Sequence, residues 1–446
     1  MTGGEPMEVR SFKGGTHIPH YKEYTEKCAI EPMKVPPEVV IPLLMHGGEP
    51  NEPLVQVGDR VTVGQKIGDV DNFWNAPIHA SVNGVVEAID VFPSYEVDDR
   101  VCIKIRTEGE DHAFKPQMER DPESLSQEEL RAIIREAGLV GMGGAAFPTH
   151  INISPRSPVD SLLINGAECE PFLTCDHRLM VERADDLLAG ARIMMRCIGA
   201  SRCYIGIEVN KPDAIETLKQ KTQHMSDMEV VPLAVKYPQG YKSHLIKAIT
   251  GRNVPRGARS AELGCVVRNV GTTIAGYEAV VYGKPLIERV VTVSGPTVPK
   301  PGNYIIKIGT PVGFALEQCG ISDMEGLKVV QGGPMTGRAQ ESPEAGIVKS
   351  STGLLVLPPE LAVPRDISFS DCVRCGKCVD RCPMFLYPNY ISLYAEANMI
   401  DQMLEWDALD CMDCGICSYS CPSHRSIADM IRCLLPELKN RQKSIY

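Results

Sequence analysis

The stretch SLLINGAECEP, residues 161–171, sets an apolar run against two carboxylates. Ser161–Gly166 reads as a strand buried on both faces, the texture of a parallel sheet covered by helices. The flanking chain agrees. Upstream, Ser126-Gln-Glu-Glu129 is a capping-box signature. Leu130, Ile133, Ile134 and Ala137 follow at helical spacing, and Gly138 is the stop. Downstream, the pattern predicts helices at 178–197, 212–221, 242–250 and 272–282. They alternate with strands at 203–209, 229–235 and 265–269. This alternation predicts a doubly wound parallel sheet over residues 122–286. Such sheets hold ligands at the carboxyl ends of their strands.

Asn165, Glu168 and Glu170 fall at such an end. Two acids and an amide there are costly to bury unless they bind something. They suit ribose hydroxyls or a flavin ring N–H; the rival reading is a solvated loop. Before them lies Gly141-Met-Gly143-Gly144-Ala-Ala-Phe147-Pro148-Thr149. It does not match the dinucleotide fingerprint Gly-x-Gly-x-x-Gly, yet bare backbone N–H groups can approach an anion closely. Taken alone it is equally an ordinary turn. A third strand end, Val267-Arg268-Asn269-Val270-Gly271-Thr272, opens a helix, where Thr272 is a candidate phosphate donor.

Outside this region the texture changes. Residues 1–37 read as an N-terminal arm, with Phe12-Lys-Gly-Gly-Thr-His17 as a Gly-rich turn. Residues 38–115 alternate short strands and turns, and Asn83-Gly84 is a hairpin signal. They resemble the barrel-sandwich hybrid of biotinyl and lipoyl carriers. No Lys occurs between Lys66 and Lys104, so a structural module is expected rather than a carrier. Residues 287–358 are again strand-rich, with one helix at 312–319, and look like a β-grasp (SLBB-like) module. Lacking catalytic motifs, both β-modules are assigned to docking. Leu357-Pro-Pro359 and Val363-Pro364 read as a stiff linker into the cysteine-rich segment 366–446.

The chain has 446 residues, 43% of them hydrophobic and 23% charged, which suits several globular domains. A net charge of −11 argues against nucleic acid as partner. No apolar run reaches the length of a membrane span, and no secretory h-region opens the chain, so a cytoplasmic location is expected.

Of 17 cysteines, eight lie between Cys372 and Cys421. They form Cys372-x2-Cys375-x2-Cys378-x3-Cys382-Pro383 and its repeat Cys411-x2-Cys414-x2-Cys417-x3-Cys421-Pro422. This is the two-cluster ferredoxin spacing, in which the fourth cysteine of each run serves the other cluster. One [4Fe–4S] cluster is therefore assigned Cys372, Cys375, Cys378 and Cys421, the other Cys382, Cys411, Cys414 and Cys417. Structural zinc, the rival, favours four ligands in two separated pairs. The long gap after Cys382, with a helical stretch near 392–406, gives an α-helical ferredoxin module.

GLVGMGGAAFPT (138–149), INGAECEP (164–171) and RNVGTT (268–273) resemble the flavin-binding segments of the NADH-oxidising subunit of respiratory complex I. The order of all the modules, from FKGGTH through Gly332-Gly-Pro-Met-Thr-Gly337 to the cysteine runs, resembles the RnfC family of the Rnf complex. That complex is a membrane-bound, ion-translocating ferredoxin:NAD⁺ oxidoreductase moving Na⁺ or H⁺. The resemblance implies a Rossmann-like domain holding non-covalent FMN through Gly141, Gly143, Gly144, Asn165, Glu168 and Asn269. It implies NAD(H) as substrate, with Phe147 and Glu170 as candidate contacts and hydride exchanged between nicotinamide and flavin. It further implies a peripheral place on the cytoplasmic face of the bacterial membrane, beside membrane subunits and an iron–sulfur subunit that takes electrons from ferredoxin. Three positions depart from the complex I pattern: His150 where a Lys is usual nearby, Arg268 and Gly271. A soluble NADH-dependent cobalamin reductase of bacterial microcompartments shares the architecture and is the first alternative. A flavin-free electron-carrier scaffold is the second.

Overall fold

A computed structural model describes residues 8–95, 99–116, 119–361 and 371–445, with side chains to 441. The predicted linker's Val363-Pro364 and the start of the cysteine-rich segment lie outside the described residues.

The central sheet has four parallel strands: β1 (Ser161–Gly166), β2 (Arg202–Glu208), β3 (Met228–Leu233) and β4 (Cys265–Asn269), in the order β3-β2-β1-β4. The chain winds outward from β1 to β3, then crosses back to place β4 on the other side of β1. That reversal opens a crevice beyond the strand ends, and there Asn165 and Asn269 are register partners. Six helices pack around it: α1 (Gln127–Glu136), α2 (Cys175–Glu182), α3 (Ala184–Ile198), α4 (Pro212–Thr222), α5 (Lys242–Thr250) and α6 (Val270–Tyr282). The Ser126/Glu129 capping box forms. The helix expected at 178–197 is two helices, broken at Arg183, which pairs with Asp186 and Glu278.

The first β-module pairs Glu38–Pro42, Arg100–Thr107, Gly84–Phe92 and Arg60–Val61 in one sheet, and Glu52–Pro53, Lys66–Asp69 and Ile78–His79 in another. Val39, Ile41, Ile67, Ile78, Ile103 and Ile105 fill the space between. Asn83-Gly84 is not the tip of a hairpin, because the strands on either side belong to different sheets. Gly84 is required for a close approach: a Cβ there would lie 2.1 Å from the Arg106 carbonyl oxygen.

The second β-module is one arm of a six-stranded mixed sheet. Its outer strand is Ile30–Pro32, which pairs in parallel with Asn303–Ile305. The N-terminal segment is thus stitched in at two places, since Arg10 also bridges to Leu233 at the edge of β3. Beyond residue 371, short helices around Ile391, Met403, Ile427 and Ile431 form a core that includes Cys378 and Cys382.

Candidate functional site

The crevice at the β1/β4 switch point is a cleft of about 390 Å³. Its walls come from four parts of the chain. The central sheet gives Asn165, Glu168, Cys169, Glu170, Asp176 and Asn269, and the Gly-rich loop gives Gly143 and Gly144. The second β-module contributes Gly332, Gly333, Thr336 and Gly337, and the cysteine-rich segment Met412, Asp413 and Cys414. The 332–337 loop therefore forms part of the cleft and is not solely a docking element.

Each predicted residue now has a place. Gly144 has φ +106° and open space where a side chain would project, so the loop can bring bare backbone to a ligand. Gly143 faces the Asn269 amide, 3.4 Å from where a Cβ would sit. Asn165 donates to the Gly240 carbonyl at 2.8 Å and so ties β1 to the 237–241 loop. Asn269 caps α6 by accepting from the Thr272 N–H. Its amide also donates to Asp176 at 2.6 Å.

Glu168 sits at φ +46° and accepts from the Asp176 and His177 N–H groups at 2.7 and 3.3 Å. Thr174, the residue before α2, makes no capping bond, so Glu168 serves as a distant cap for that helix. Glu170 lines the cleft, but its carboxylate is held by the Met335 N–H at 3.0 Å and the Thr336 hydroxyl at 2.5 Å. Burial raises its pKa, against those two donors.

Three predicted residues lie off the cleft. Thr272 is fully buried; its hydroxyl accepts from the Met142 N–H at 2.8 Å and faces the Val140 carbonyl at 3.4 Å. It fastens the Gly-rich loop and has no proton left for a phosphate. Gly141 pairs with the Phe147 backbone carbonyl. The Phe147 ring faces Gly47 of the first β-module, not the cleft where a nicotinamide would stack.

The residues that sequence reasoning missed are Asp176, Cys169, Tyr237 and the 332–337 loop. Asp176 lies between Glu168 and Asn269, and burial beside the Glu168 carboxylate pushes its pKa up to about 7. No local pattern marks it, since it opens a helix whose cap is eight residues away in sequence. For the loop the signal was present: Gly332-Gly-Pro-Met-Thr-Gly337 is as glycine-rich as the segment at 141–144.

The cysteines gather as the crossed pattern requires. Cys372, Cys375, Cys378 and Cys421 ring one small cavity, and Cys382, Cys411, Cys414 and Cys417 ring another. Among the described residues no three His, Cys, Asp or Glu side chains converge tightly enough to hold a single metal ion. The donor set is all sulfur, and each ring encloses space, which suits a cluster of irons. Burial pushes the Cys414 thiol up to about 12, so bound iron must stabilise its thiolate. Met412, Asp413 and Cys414 line both the second cavity and the cleft.

Comparison with known proteins matches these parts to four family models. Residues 10–110 match the RnfC barrel sandwich hybrid domain, and residues 134–278 the Nuo51 FMN-binding domain. Residues 290–339 match the SLBB domain, and residues 366–428 the 4Fe-4S dicluster domain. The chain is 42% identical over 433 residues to the RnfC-type subunit of the proton-translocating ferredoxin:NAD(+) oxidoreductase complex of Clostridium ljungdahlii, covering 96% of this chain and 94% of that one. It is 40% identical over 427 residues to the counterpart in the Na(+)-translocating complex of Acetobacterium woodii, covering 95% and 96%. An NAD+-reducing [NiFe]-hydrogenase structure shares the fold, at 18% identity and TM-score 0.50, over 73% of this chain and 67% of that one. Identity at this level across nearly the whole length shows that the chain belongs to the RnfC family of ion-translocating ferredoxin:NAD⁺ oxidoreductase subunits.

Proposed function

We propose that this chain is the NAD(H)-handling peripheral subunit of a membrane-bound, ion-translocating ferredoxin:NAD⁺ oxidoreductase. Among the described residues no helix is long and apolar enough to cross a membrane. Attachment therefore comes through partner subunits on the cytoplasmic face: integral membrane subunits, and an iron–sulfur subunit that receives electrons from ferredoxin.

The cleft holds FMN, and FMN supplies hydride exchange with nicotinamide and the change between two-electron and one-electron transfer. Around it Gly143 and Gly144 give backbone approach, and Asn269 and Asp176 present paired polar groups from one side. Glu170, latched to Thr336, fixes the opposite wall, so the nicotinamide is held between the acidic strand end and the 332–337 loop. Cys382, Cys411, Cys414 and Cys417 bind the proximal [4Fe–4S] cluster. Cys372, Cys375, Cys378 and Cys421 bind the distal one.

The observation that carries this reading is the wall shared by the cleft and the proximal thiol cavity, made by Met412, Asp413 and Cys414. It leaves no intervening layer of protein between a flavin and the first cluster. The test is anaerobic purification with iron, sulfide and flavin quantified together, followed by addition of NADH. Bleaching of both flavin and iron–sulfur absorbance is expected. A protein that binds clusters but no FMN would be an electron-carrier scaffold. Failure to co-purify with membrane subunits would favour the soluble cobalamin reductase.

A further inference from the structure

Lys22 lies in the N-terminal segment, far in sequence from the flavin-binding motifs, yet only 2% of it is exposed. Its ammonium donates to the Leu173 carbonyl at 2.5 Å and the Glu170 carbonyl at 3.1 Å, and stands 4.0 Å from a Glu168 carboxylate oxygen. A second buried lysine, Lys211, donates to the Ala167 carbonyl at 2.7 Å and lies 3.5 Å from Glu208. Two ammonium groups thus grip the backbone of the loop that carries Glu168, Cys169 and Glu170 into the cleft.

The loop needs such a grip. Glu168 and Phe172 both sit at positive φ, +46° and +67°, where side chains are disfavoured. The segment around Lys22 supplies more than a charge. The Phe172 N–H donates to the His20 carbonyl, Phe172 stacks on Tyr21 at 4.8 Å, and Thr25 meets Thr174 at 2.7 Å. Local sequence alone would not hold residues 168–173 in this shape.

We propose that Lys22 is a positioning residue of the redox site: it fixes the acidic loop and places a positive charge behind the cleft that favours the more negative, reduced flavin. A buried cation acts over this distance because little water intervenes to screen it. This rests on the cleft being the FMN site.

The test compares wild type, Lys22→Met and Lys22→Gln as purified proteins, with iron content and melting temperature as controls for folding. FMN dissociation constants are measured for the oxidised and reduced forms, together with the flavin midpoint potential. Lys22→Met should weaken oxidised FMN about tenfold. It should weaken reduced FMN a further tenfold, a fall of about 30 mV in the two-electron potential. Lys22→Gln keeps a donor but no charge. It should recover part of the oxidised-state affinity and none of the potential, and it decides the matter if Lys22→Met does not fold. Wild-type affinity and potential in a folded variant would overturn the proposal. A wild-type protein that bound no FMN would instead overturn the reading of the cleft, a separate failure.

Discussion

The Tyr237 hydroxyl donates to the Cys414 backbone carbonyl at 2.9 Å, and both residues line the cleft. Tyr237 is also paired through its backbone to Thr16 of the FKGGTH turn. The same turn reaches the cysteine-rich segment directly: a Cβ on Gly14 would lie 3.2 Å from Pro383 Cα. Phe12 stacks on His244 at 4.3 Å, and His244 in turn meets the Pro383 carbonyl at 3.2 Å. One short N-terminal turn therefore holds the cluster-bearing segment against the cleft.

Tyr237→Phe removes the bond but keeps the ring. Leaving the Cys414 carbonyl unpaired should cost about 1–2 kcal/mol of stability. Iron and flavin contents should not change. Stopped-flow mixing with NADH should show flavin reduction at close to the wild-type rate and cluster reduction slowed severalfold. Equal cluster rates in the variant would mean that Tyr237 does not set the cleft-to-cluster geometry.

Cys382→Ala tests the crossed ligation. Although Cys382 follows Cys372, Cys375 and Cys378 in sequence, it shares a cavity with Cys411, Cys414 and Cys417. Iron should fall from about eight to about four atoms per chain. The surviving cluster should be the one farther from the cleft, so NADH should reduce it poorly. Cluster-specific electron paramagnetic resonance decides this, and loss of the 372–378 cluster would sink the assignment.

Gly143→Val places a branched side chain at the cleft wall, beginning 3.4 Å from the Asn269 amide. FMN affinity should drop at least tenfold, about 1.4 kcal/mol, while iron content stays normal. Unchanged flavin occupancy after gel filtration would remove the loop from the site.

How much of this was legible in the sequence depended on how local the cause was. The strand Ser161–Gly166 and the helix Lys242–Thr250 form as predicted, because buried runs and helical spacing are properties of adjacent residues. The cysteine runs were legible because their spacing itself wraps a cluster. The roles of Glu168 and Thr272 were misread for one reason. Each side chain turns back onto backbone N–H groups of a neighbouring element, Asp176 and His177 for one and Met142 for the other. A motif shows that a polar residue is present at a strand end, not which orphan donor it must satisfy. Asp176, Tyr237 and Lys22 owe their positions to contacts over long sequence separations, which no local pattern records.

Asp176 gives the final prediction, because its environment sets a pH dependence. It faces the Glu168 carboxylate, the buried Arg289 guanidinium, the Asn269 amide and the Gly271 N–H. Burial and Glu168 outweigh the other three and raise it to about 7. A carboxyl raised in the folded state holds its proton more tightly there than in the unfolded chain. Its contribution to stability is therefore complete below its ordinary pKa of 3.8 and is lost as pH rises through about 7. Asp176→Asn keeps an oxygen to accept from Asn269 and cannot ionise. The variant should match wild type near pH 5 or below and exceed it at pH 8, by about 1–3 kcal/mol. Thermal melting across that range is the measurement. A difference that does not grow with pH would show that Asp176 is already ionised in the folded protein at low pH, and that Arg289 outweighs Glu168.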